Sequence, residues 1–161
     1  MMKRLVALFL ILLLITSGTL FAEEKKPLID MTAFNDYIRG PEGYQVLSTT
    51  HDILGYGAVL LGLASGLMSP PLLDVDEDIH GFIGGAATVA AVLNLGVGLL
   101  NYGDRFDTSE GLLTVDNIHI VMGITGGILM LVGSLTGESD AHPWISGLAT
   151  GLMGISIILQ M

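Results

Sequence analysis

Residues 78–88 read DIHGFIGGAAT, a histidine at the mouth of an unbroken apolar run, set behind acids and four residues ahead of a glycine. The same opening recurs in TTHDILG (49–55), NIHIVMG (117–123) and DAHPWIS (140–146), and the chain has no histidine beyond His51, His80, His119 and His142. The apolar runs they head cover roughly 46–68, 79–102, 118–135 and 142–161. Each is near the ~20 residues that a helix needs to cross a hydrocarbon layer about 30 Å thick. The loops between them are short, which makes successive helices antiparallel neighbours. The sequence therefore predicts an all-α fold, a transmembrane up-down four-helix bundle.

Composition agrees. Of 161 residues, 51% are hydrophobic and 14% charged, and the mean hydropathy is +0.70, outside the range of soluble domains. Residues 1–22, MMKRLVALFLILLLITSGTLFA, have a basic start at Lys3 and Arg4, an apolar stretch from Leu5 to Ile15 and a small-residue exit. That is the layout of a secretory signal peptide cut after Ala22, with an uncleaved anchor helix as the alternative because Leu20 is large for the position three before the cut. Residues 23–45 contain Pro27, Gly40, Pro41 and Gly43 and read as an external linker with at most one short amphipathic turn. The bundle is assigned to 46–161.

Export of residues 23–45 places the chain in a bacterial-type inner membrane as a multi-pass protein, with that segment on the outer side. Helices one to four then run inward, outward, inward and outward. The loop charge opposes this order: Arg105, the one basic residue between the helices, falls on the outer side, against the positive-inside tendency. The net charge of -10 speaks against nucleic acid as a partner and leaves membrane lipid as the expected surroundings. With no cysteine, disulfides, thiolate metal sites and iron–sulfur clusters are excluded. Nothing in the chain makes a nucleophile–base arrangement, a phosphate loop or a paired intramembrane carboxylate, so a hydrolase or an ion pump has no residues to work with.

The residue two before each histidine is Thr49, Asp78, Asn117 or Asp140, all good N-cap types. Four residues after each comes Gly55, Gly84, Gly123 or Ser146, one turn along the same helix face. A single histidine at a helix end is an ordinary interfacial side chain. Four in register carry more weight. Because the helices alternate in direction, His51 and His119 share one surface, and His80 and His142 the other. Two imidazoles facing each other across a bundle can bind one haem iron from both axial sides, so the pattern predicts two b-type haems, His51 with His119 and His80 with His142. The small residues leave space for a porphyrin beside each ligand, although small-residue helix packing accounts for them as well.

This arrangement resembles the cytochrome b561 family over residues 46–161: four core helices, one histidine on each, first paired with third and second with fourth. The resemblance implies transmembrane electron transfer between a separate donor and a separate acceptor, and hence a transmembrane oxidoreductase. It also implies residues for the haem propionates, for which Arg39 and Arg105 are candidates; plain surface charge explains both equally. The chain departs from better-known members in lacking flanking helices and inner-face basic residues, which disfavours ascorbate as donor. The rival reading is a non-haem membrane scaffold or a metal-binding subunit of a larger membrane complex. Zinc or copper needs three or four convergent ligands, and antiparallel helices bring at most two histidines to each surface. The sequence leaves open a homodimer or a subunit of a redox complex.

Overall fold

Pro41 begins the first long helix because proline at N1 gives up an amide that has no helical partner and arrives with φ already helical. The computed structural model describes residues 32–160 apart from 70, 71, 74, 110, 112 and 138. The expected signal peptide and residues 23–31 lie outside them. The elements are α1 (Thr32–Arg39), α2 (Pro41–Leu67), α3 (Glu77–Tyr102), a 3-10 turn (Gly103–Arg105), α4 (Val115–Leu135) and α5 (His142–Gln160). Helices α2 to α5 are each long and apolar enough to cross a membrane. Within residues 36–45, expected as linker, the chain is already helical on both sides of Gly40.

The capping residues differ from the expected ones. Asp76 caps α3 by accepting from the Asp78 amide (2.9 Å), and Thr114 caps α4 by accepting from the Asn117 amide (3.3 Å). Thr49, Asp78 and Asn117 therefore lie inside helices, and Asp140 precedes a helix that begins at His142. Asn117, only 1% exposed, has another task. Its amide nitrogen donates to the carbonyls of Asp107 and Gly111 and its oxygen accepts from the Asp107 amide, which ties the 107–111 loop to the start of α4. Gly111 completes that loop at φ +99°, a value that side chains rarely allow.

Among residues 36–160 the four helices form an antiparallel ring. Helix α2 packs most closely on α3 and α4 on α5, while α3 with α4 and α2 with α5 close the circle. The interior is built from small residues: Ala58, Ala87, Ala91 and Ala149 are at most 1% exposed, with Met130 and Met153 filling the gaps between them. Leu60, Phe82 and Ile158 point outward, each more than 60% exposed. Large apolar residues outside and small ones inside are what a lipid surround selects, since close backbone approach replaces the hydrophobic effect between helices. At Gly126 a Cβ would sit 3.1 Å from the Ala149 carbonyl oxygen, so α4 and α5 approach backbone to backbone there. Two interior threonines close on their own helix: Thr88 donates to the Gly84 carbonyl and Thr150 to the Ser146 carbonyl, which removes the cost of an unpaired hydroxyl in hydrocarbon.

Candidate functional site

The four histidines meet in two pairs across the diagonals of the ring. The rings of His51 on α2 and His119 on α4 are 5.9 Å apart between centroids, and those of His80 on α3 and His142 on α5 are 6.0 Å apart. A histidine bound to a metal through a nitrogen takes a bond of about 2 Å, so two rings held on opposite sides of one ion have centroids roughly 6 Å apart. Their planes are turned by 71° and 79°, which two rings on a common axis can adopt.

The tautomer is set from behind. Nδ1 of His51 lies 3.3 Å from the Asn94 carbonyl oxygen, that of His80 3.1 Å from Ser65, that of His119 2.9 Å from Ser156 and that of His142 2.8 Å from Gly133. A carbonyl only accepts, so each Nδ1 carries the proton and donates it. Each Nε2 then keeps its lone pair, the state in which imidazole binds a metal, with its second nitrogen oriented by a carbonyl as metal-bound histidines usually are. At His119 the Ser156 hydroxyl strengthens the lock by donating to the His119 carbonyl (3.0 Å) while lying 2.9 Å from Nδ1.

The four locks follow one rule. Ser65 comes fourteen residues after His51, Asn94 fourteen after His80, Gly133 fourteen after His119 and Ser156 fourteen after His142. Every helix thus supplies one histidine and, four turns on, the carbonyl that receives the histidine of its hairpin partner. Fourteen residues of helix rise about 21 Å. The interval is the same whether the histidine lies ten residues inside its helix, as His51 does in α2, or opens it, as His142 does in α5.

The small residue after each histidine abuts the same acceptor. A Cβ on Gly55 would meet the Asn94 side chain at 3.3 Å, on Gly84 the Ser65 hydroxyl at 3.1 Å and on Gly123 the Ser156 hydroxyl at 3.4 Å, while a Cβ on Gly133 would meet Ser146. These positions let the partner helix come near enough for its carbonyl to reach the imidazole. Gly55 and Gly123 also line a cavity of about 240 Å³ that all four helices enclose around His51 and His119.

Sequence reasoning missed the acceptors, although small or polar residues at the fourteen-residue interval leave a trace of them. It also missed Gly98, where a Cβ would stand 2.8 Å from Cε1 of His51. Tyr102 lies with its ring 5.3 Å from that of His51 and 6.5 Å from that of His119, its hydroxyl 3.0 Å from that of Ser48. Arg105 covers it: the guanidinium is 4.8 Å from the Tyr102 ring centre and 5.7 Å from that of Tyr44, and donates to the Tyr44 hydroxyl at 2.6 Å. The amide oxygen of Asn94, beside the cavity, is buried without a hydrogen-bond partner. Among the described residues no three His, Asp or Glu side chains converge on one point. No family model, curated protein or solved structure matches the chain.

Proposed function

We propose that the chain is a di-haem b-type cytochrome that carries electrons across a membrane, with one haem held by His51 and His119 and the other by His80 and His142. The observation that carries this reading is the crossed pairing of all four histidines, each with Nδ1 engaged by a carbonyl and Nε2 left as donor. Bound between two imidazoles, a haem iron supplies a one-electron couple without an open coordination position. The protein's part is to fix both rings, to keep water from the iron with an apolar surround, and to set the two layers about 21 Å apart along the helices, a span over which two wide macrocycles approach each other. The ligands come in twos, which suits axial binding and leaves a four-coordinate zinc or copper site short of donors. Gly55 and Gly123 keep side chains out of the cavity beside the first pair. At the second pair Gly84 and Ser146 instead lie against Ser65 and Gly133, the residues whose carbonyls hold His80 and His142.

The resemblance to the cytochrome b561 family belongs to this proposal, as do an inner-membrane location with residues 23–45 outside, separate donor and acceptor proteins or small molecules, and transmembrane oxidoreductase activity. The test is optical. Membranes containing the full chain, made with ample haem, are expected to give the sharp reduced-minus-oxidised difference of six-coordinate b haem, and the purified protein two haems per chain. A colourless purified protein would favour the scaffold reading.

A further inference from the structure

Among the described residues the basic side chains are Arg39 and Arg105, and one histidine pair has Arg105 fixed beside it. The guanidinium stands 4.8 Å from the Tyr102 ring centre, which stands 5.3 Å from that of His51; these two steps bring the charge within roughly 10 Å of the ligand ring, held there by cation–π contact. It is anchored, too, by the bond to the Tyr44 hydroxyl, while Ser48 steadies Tyr102. Acids flank both pairs, with Asp52 and Asp116 beside the first, and what differs is that, among the described residues, the second pair has no such cation fixed beside it. Asp76, Glu77 and Asp78 form the start of α3 just ahead of His80, and Asp140 precedes His142.

We infer that Arg105 is a positioning residue which, through Tyr102 and Tyr44, holds a positive charge against the His51–His119 site and makes it the higher-potential of the two. The inference rests on the di-haem reading. With haem held at both pairs, an electron at the His80–His142 site would be drawn to the His51–His119 site, with no bond formed or broken. Reduction lowers the charge of a site by one, so a nearby cation favours the reduced form. At roughly 10 Å and an effective dielectric of about 20, one unit charge changes the ratio of reduced to oxidised sites by roughly tenfold. At the second layer, roughly 30 Å from the guanidinium, the same charge changes it by about two- to threefold. Asp52, which follows His51 and lines the cavity, acts in the opposite sense. Its carboxylate and the Arg105 guanidinium are both exposed and both screened by water, but the guanidinium is fixed in place on two rings.

The experiment is an optical redox titration of the full chain in lipid nanodiscs. Wild type is expected to titrate in two components, the higher one missing in His119→Ala and the lower one missing in His142→Ala. Arg105→Gln should lower the higher component by a tenfold change in ratio, about 59 mV for a one-electron couple, and move the lower one by less than half of that. Arg105→Lys should recover at least half of the fall, and Asp52→Asn should raise the same component. The inference is overturned if Arg105→Gln leaves the higher component in place or moves both alike, or if the higher component is the one lost with His142. Absence of pigment from wild type would overturn the haem reading and this inference with it, an outcome distinct from pigment without a selective shift.

Discussion

His119→Ala is expected to remove one of two haems and leave the other spectrally intact. His119 is 9% exposed, its ring sits 5.9 Å from that of His51, and Ser156 holds it through both backbone and hydroxyl. Alanine deletes one of the two proposed haem ligands and strands the Ser156 carbonyl, which in a buried position costs about 1–3 kcal/mol. The His80–His142 layer, about 21 Å along the helices, shares no side chain with this one. His51→Ala should remove the same haem with a smaller loss of stability, because His51 is only half-buried. The measurement is haem per protein in each purified variant together with the reduced spectrum that remains; near half occupancy is expected in both.

Gly98→Leu is expected to do nearly as much without touching a ligand. Its Cβ would stand 2.8 Å from Cε1 and 3.0 Å from Nδ1 of His51, so the ring must leave the position from which it donates to Asn94. Overpacking of this kind costs about 1–3 kcal/mol. Helix propensity runs the other way, favouring leucine over glycine by about 1 kcal/mol. Gly96→Leu separates the two effects, since a Cβ at Gly96 meets nothing within 4 Å and only the propensity gain remains. The expected result is loss of the His51–His119 haem in Gly98→Leu with the second haem retained, and full occupancy in Gly96→Leu. Equal, full occupancy in both would mean that the position of the His51 ring does not govern binding.

Much of this was legible in the amino-acid order because hydropathy and alternation are strong signals. Runs 79–102, 118–135 and 142–161 fall within three residues of α3, α4 and α5 at either end, and antiparallel alternation alone brought His51 to His119 and His80 to His142. The start of α2 was not legible: Gly40, Pro41 and Gly43 look like a linker by composition, yet proline at N1 opens a helix. The N-caps were misread because three of the four polar residues two before a histidine lie inside their helices, and Asn117 turns back to hold a loop. Gly84 read as space for a porphyrin, whereas it borders the Ser65 hydroxyl; periodicity gives the face of a helix but not which neighbour approaches it. The carbonyl acceptors are backbone atoms, and only the fourteen-residue interval of small or polar residues (Ser65, Asn94, Gly133, Ser156) hints at them. The place of Tyr102 depends on how α3 ends beside α2, and nothing local in the sequence encodes it.

The central claim is that ligands pair across the diagonals, and the haem content of double-alanine variants tests it most directly, because couplings between residues of one site appear as non-additivity. If His51 and His119 share one haem, removing both costs no more pigment than removing either, and the double variant keeps one haem per chain; the same holds for His80 with His142. Combining His51→Ala with His80→Ala, one ligand from each layer, should leave none. One haem retained in the His51–His80 double variant and none in the His51–His119 double variant would contradict the crossed pairing and the account built on it.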